Sequence, residues 1–158
     1  MIPAEALKCI EGHEATPGCI LLSGDHALLT ISADRLGTAA HALRLNGKDR
    51  GNIVRLRDEK LLMITGGYTV EARVDFRNPH AGNTPPGALL IKDQLAIYAA
   101  AGTIHERYGE IYSFPSGQLL RGSDHGSIAF TTWQLHLCDP QGNVSQQPLL
   151  TVHAQDNN

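Results

Sequence analysis

Residues 19–32, CILLSGDHALLTIS, set the reading of the whole chain. Two short apolar runs flank Gly24-Asp25, and a glycine at the first turn position supplies the positive φ that a type II′ turn requires. The stretch therefore reads as a β-hairpin. Outward from it the pattern continues. NIVRLR (52–57) and LLMIT (61–65) flank Asp58-Glu59-Lys60, and Gly66-Gly67 turns the chain into YTVEARVDF (68–76). In that last run Thr69, Glu71, Arg73 and Asp75 alternate with Val70, Ala72, Val74 and Phe76, the period-two pattern of a strand with one wet face. These three runs are expected to pair in order as a meander.

NPHAGNTPPG (78–87) follows, and its three prolines and two glycines continue neither strand nor helix. It is read as the linker between a first unit, residues 1–77 with an N-terminal helix or strand, and a second, residues 88–158. After ALLI (88–91), Leu95, Tyr98, Ala99 and Gly102 recur at helical spacing and predict a short helix. EIYSF, a turn at Pro115-Ser116-Gly117, QLLRGS, SIAFTTWQLHL, the turn DPQGN and a last strand around LLTV complete a second meander.

The stretch SADRLGTAAHALRLNG (32–47) has two readings. Ser32 as N-cap, an apolar stripe of Leu36, Ala39, Ala40 and Leu43, and Asn46-Gly47 as a stop argue for a helix. His41, Leu43 and Leu45 alternating with Ala42 and Arg44 suit a strand equally. The helix is preferred, because alanine-rich sequence with both caps is the more specific combination. The expected fold is thus α+β, mainly antiparallel β, in one domain of two tandem strand–helix–β-meander units.

The two halves can be laid on each other in two registers. One sets TISADRLGTAA and NIVRLRDEKLLMITGGYTVEARV against LIKDQLAIYAA and EIYSFPSGQLLRGSDHGSIAFTT; the other sets PGCILLSGDHALLTISAD against GEIYSFPSGQLLRGSDHG.

Over residues 19–137 this plan resembles the subdomain of the DNA sliding clamps, the ring-shaped processivity factors of replicative polymerases. Those subdomains run strand, helix, β-meander, two to a domain. Bacterial examples carry a leucine-containing strand ending in a small residue and Asp, which here looks like LLTISAD ending at Asp34 and LLRGSD ending at Asp124. The chain has room for one such domain, where the bacterial clamps have three and the archaeal and eukaryotic ones two. The resemblance implies a homo-oligomer that holds double-stranded DNA through its phosphates with Lys and Arg on the helices. The matching positions are Arg35 and Arg44 in the first helix, Lys48 and Arg50 just beyond it, and Lys92 in the second.

Charge agrees with that location. Residues 33–77 hold nine bases against six acids, whereas the remainder of this chain of formal net charge −3 is acidic. A local basic face is the footprint of a backbone-reading nucleic-acid binder, and an ordinary solvated surface has the same interleaved charges.

Other classes of chemistry find little support. The start, MIPAEALKCIEGHE, lacks the apolar run of a secretory segment, and no stretch approaches the roughly 18–20 apolar residues of a membrane span, so a cytoplasmic protein is expected. Cys9, Cys19 and Cys138 are an odd, scattered set without CxxC, read as buried thiols. Asp25-His26 and Asp124-His125 are turn dipeptides, and His136 and His153 lack metal-ligand spacing. No metal, cofactor or catalytic residue is expected: there is no GxSxG elbow and no phosphate loop. Trp133 reads as core. The expected function is a non-enzymatic, clamp-like DNA-associated or scaffold protein. The alternatives are a β-rich protein-binding module of inhibitor or immunity type without nucleic acid, and an enzyme built from residues that no motif identifies.

Overall fold

The computed structural model describes residues 2–32, 40–99, 110–120 and 127–154. The hairpin of 19–32 is present: β2 (Ile20–Ser23) pairs antiparallel with β3 (His26–Ile31) across a turn opened by Gly24 at φ +57°. It lies in a six-stranded sheet with β1 (Leu7–Glu11), β4 (His41–Arg44), β5 (Ile53–Arg55) and β6 (Lys60–Ile64), in the order β1-β6-β2-β3-β4-β5. Three strands, β7 (Thr69–Arg73), β13 (Thr132–Cys138) and β14 (Leu150–His153), form a small sheet ordered β14-β13-β7. The remaining sheet has β8 (Leu89–Ile91), β9 (Leu95–Ala99), β10 (Glu110–Ser113), β11 (Leu119–Leu120) and β12 (Ile128–Phe130), in the order β11-β10-β9-β8-β12. The ladders are antiparallel, so the mainly antiparallel β class holds. Among the described residues the helical turns are short 3₁₀ pieces at Ala4–Ala6 and Gly12–Glu14.

Both expected helices are corrected where they fall on described residues. His41–Arg44 is strand, with Leu43 opposite Leu29 and Ile53, and Leu95–Ala99 is strand between β8 and β10. The reason is burial on both faces. Leu43 and Leu45 face one core while Ala42 faces another; Ile97 and Ala99 face one core while Ala96 and Tyr98 face another. A doubly buried strand has no polar alternation, and the alanines that fit its crowded face are also the best helix formers. Residues 33–39 of the first expected helix, Arg35 among them, and residues 100–102 of the second lie outside the described residues.

The expected β5-β6-β7 meander is also corrected. β5 pairs with β4 at one edge, β6 lies between β1 and β2 near the other, and β7 joins a different sheet. Four strand spacings separate β6 from β5, about 19 Å if the sheet were flat. The five residue steps from Arg55 to Lys60 reach only about 17–18 Å fully extended. The sheet must therefore curl. Its two ends meet where His13 N, just past β1, donates to the carbonyl of Arg57, just past β5, at 2.6 Å. Ile10, Leu21, Leu28, Ala42, Leu56 and Leu61 fill the inside of the curl.

Strand by strand, the two larger sheets follow one plan. A four-stranded meander (β2-β3-β4-β5 and β8-β9-β10-β11) is followed by a strand that returns beside the first (β6 and β12), then by one that leaves and pairs antiparallel with its counterpart (β7 with β13). The entry bonds repeat: Gly18 N donates to Thr30 O at 2.9 Å, and Gly87 N to Tyr98 O at 2.7 Å. TPGCILL (16–22) therefore lies on PPGALLI (85–91), and the two sequence alignments are out of register by one and by two strands.

Ile20, Leu29 and Leu43 from one sheet, Leu89, Ile97, Tyr112 and Phe114 from the other, and Trp133, Leu135 and Val152 from the third share a single core. Reciprocal turns clamp this seam. A side chain on Gly51 (φ +80°) would meet Pro86 and, at 2.7 Å, Gly87 N; one on Gly117 (φ +72°) would collide with the Thr30 carbonyl and meet Gly18 N at 3.1 Å.

Candidate functional site

The described members of the basic set occupy two hairpins. Arg44 ends β4 and is half-buried, Lys48 is exposed in the β4–β5 turn, and Arg50 lies in the same turn. Arg50 is largely structural: its Nη1 donates to Gly47 O at 3.1 Å, and its Cγ and Cβ would lie 3.2–3.3 Å from a side chain at Gly87. Lys92 is exposed in the β8–β9 turn rather than on a helix. Arg44, Lys48 and Arg50 are thus brought together on one hairpin, and Lys92 stands on another.

The feature that distinguishes the two units lies elsewhere. On the free side of β6, β1 adds a ladder from Leu7↔Ile64 to Glu11↔Lys60. On the corresponding side of β12 no strand is found among the described residues. There the chain crosses from β7, and His80 N donates to Ala129 O at 2.7 Å. Ala129, opposite Leu90, is the counterpart of Met63, opposite Leu21, which in the first unit faces Lys8 of β1. Among the described residues, that hydrogen bond stands where the first unit has a full ladder. The consequence is apolar exposure: Ile128 is 54% exposed, and Phe76 is 73% exposed, edge-on to Phe130 with centroids 5.8 Å apart.

The same crossing leaves a groove. β7 stops at Arg73 opposite Gln134, while β13 extends two residues further, through Trp133 to Thr132. Residues 74–81 span the gap, and beneath them is a cavity of about 820 Å³ lined by Arg73, Asp75, Arg77, Asn78 and His80 on one side and Thr131–Gln134 on the other. Trp133 is fully buried there, its Nε1 donating to Gly87 O at 2.9 Å, so its role as core is as expected. The Asp75 carboxylate accepts from Arg77 Nε at 3.0 Å, Arg77 Nη2 at 3.2 Å, Arg77 N at 3.1 Å and Asn78 Nδ2 at 3.2 Å. The Arg77 side chain, foremost among these donors, holds the Asp75 carboxyl below the usual range, and Asp75 in turn raises Arg77. Arg73 reaches Glu71 at 3.4 Å on the surface.

Sequence reasoning counted Arg73 and Arg77 only as part of a basic segment. The local signal was Arg73-x-Asp75-x-Arg77, three alternating charges at the end of a strand and just before Pro79.

His136 and His153 do not meet. His136 Nδ1 donates to Ser145 O at 2.8 Å, and its Nε2 faces the Gln134 amide at 3.2 Å. His153 stands beside Thr132, Nδ1 to Oγ1 3.3 Å. No group of three metal-ligating side chains occurs among the described residues. Cys9 is exposed on β1, against the expectation of a buried thiol, and Cys19 and Cys138 are partly buried. No helix among the described residues is long and apolar enough to cross a membrane. No protein-family model, curated protein or solved structure matches this chain.

Proposed function

We propose that this chain is a non-enzymatic assembly and binding protein whose working surface is the open edge of the five-stranded sheet at β12, completed by an extended strand from a second copy. The observation that carries this reading is the mismatch between two otherwise corresponding sheets: the position filled by β1 in one has, among the described residues, the His80–Ala129 hydrogen bond and no paired strand in the other. An open strand edge presents unpaired N–H and C=O groups and templates pairing with another chain. Exposed Phe76 and Ile128 add apolar area at that edge. Sedimentation over a concentration range tests it. Self-association is expected, and Phe76→Glu with Ile128→Glu should return a monomer with little change in unfolding midpoint. A wild-type chain that stays monomeric at its highest soluble concentration would overturn the reading.

Placement of Arg44, Lys48 and Arg50 on one hairpin supports a second reading, the clamp-like one, in which the assembled protein holds duplex DNA by its phosphates. Retention on duplex DNA should then fall steeply with salt. Lys48→Glu with Lys92→Glu is the suitable variant, since both lysines are exposed whereas Arg50 packs at the seam. Absence of retention at low salt, or retention unchanged in that variant, excludes it.

A further inference from the structure

We infer that the groove beneath residues 74–81 is a site for a small oxyanion-bearing molecule, a carboxylate or a phosphate, gripped between Arg73 and Arg77. Its volume of about 820 Å³ falls within the roughly 300–1,000 Å³ typical of small-molecule sites. Two guanidinium groups and a single carboxylate, Asp75, line it, so the charged lining is net positive. Arginine's planar fork presents paired N–H donors that match the oxygens of carboxylate and phosphate.

The molecule already displays this chemistry. The Asp75 carboxylate sits in the Arg77 fork, accepting from Nε and Nη2, and so stands in for the carboxylate of a ligand. The Arg77 side chain is 89% exposed and that of Arg73 50%, so each has donors turned to solvent. Thr132 and Gln134 at the end of β13, and Asn78 opposite, add polar lining for the rest of a polar ligand, with Trp133 beside them. A cation would meet a lining whose charged side chains are net positive.

Asp75 competes with any such ligand for Arg77. Removing its charge should therefore tighten binding, by up to about fivefold if the pair is an ordinary exposed one. Removing both arginines should weaken binding at least about tenfold, given the strength of charge-assisted hydrogen bonds.

The test titrates succinate, inorganic phosphate and glycerol into the intact chain at constant ionic strength balanced with chloride. The readouts are the unfolding midpoint and the fluorescence of Trp133, the chain's one tryptophan. A response to either anion and none to glycerol, strengthened in Asp75→Asn and lost in Arg73→Gln/Arg77→Gln, supports the site. Response to succinate alone assigns it to carboxylates and response to phosphate alone to phosphate esters. No response beyond chloride, or one that survives in the double arginine variant, overturns it. The double variant should unfold at the wild-type midpoint in chloride, since both side chains are exposed. Sedimentation of the wild-type chain beside its anion titration keeps the two readings apart: no anion response with self-association intact overturns this site alone, and the reverse overturns the edge alone.

Discussion

Gly117 and Gly142 both have positive φ, +72° and +87°, yet they stand in different surroundings. A side chain on Gly142 meets nothing within 4 Å, whereas one on Gly117 runs into the Thr30 carbonyl and the Gly18 amide of the other unit. Gly142→Ala should therefore cost only the left-handed backbone penalty, about 1–2 kcal/mol. Gly117→Ala must also separate two backbones in a close-packed seam, and should cost about 3 kcal/mol or more. With about 2–4 °C per kcal/mol for a chain of this size, thermal unfolding resolves the two. Equal midpoints would mean that the turn yields freely, and that the seam is not clamped there. Thr30 itself explains the tightness at this point. Its hydroxyl accepts from Cys19 N at 2.7 Å and donates to the Thr16 carbonyl, so the buried strand end has no slack in which to shift.

At the scale of elements, legibility in the sequence tracks how many faces of a strand are buried. The β2–β3 hairpin was readable because its turn is local chemistry, Gly24-Asp25 between two apolar runs. β7 was readable because its polar residues alternate with Val70 and Ala72. β4 and β9 were not, since both of their faces are covered and Ala42 and Ala96 mimic helix formers. The test is Ala42, fully buried under the curl of the first sheet. Ala42→Leu should cost about 1–3 kcal/mol through overpacking, measured by urea unfolding. A cost within about 0.5 kcal/mol, the range of a surface substitution, would contradict its placement under the curl. The groove was illegible for a different reason. Arg73, Asp75 and Arg77 are visible as alternating charges, but the cavity exists because β7 ends opposite Gln134, a partner some sixty residues away that no local pattern announces. Pro-Gly before three apolar residues recurs at Pro17-Gly18 and Pro86-Gly87, ahead of β2 and β8, which hold like places in their sheets, whereas the leucine pairs align β3 with β11, which do not.

At the scale of the whole molecule, the question is whether two sheets with their own small cores behave as one body or two. The private cores are small: Leu90, Ala96, Ile111 and Ala129 under the second sheet include two alanines. Fourteen buried residues, among them Trp133, Tyr112, Phe114, Leu29, Leu43, Leu89 and Ile97, lie in the core that the sheets share. The β7–β13 ladder joins the units by main-chain hydrogen bonds, and Trp133 Nε1 ties the third sheet to Gly87 at the entry of β8. Burial at roughly 25 cal/mol per Å² makes the shared residues the chief source of stability, so neither unit retains enough apolar burial once the other is lost. Unfolding should therefore be a single cooperative transition, with near-ultraviolet dichroism and fluorescence from Trp133 coinciding with far-ultraviolet dichroism from the strands in urea and in heat. Far-ultraviolet signal that outlasts the tryptophan transition would show one unit standing alone, and would move the stabilising weight from the shared core to the private ones. The groove adds a condition to this experiment. It borders Trp133 and its outer wall crosses from β7 to the edge of β12, so a ligand held there would bind the folded seam and not the unfolded chain. Both probes should then move together to higher urea, by RT ln(1 + [L]/Kd) in free energy, whichever unit is monitored.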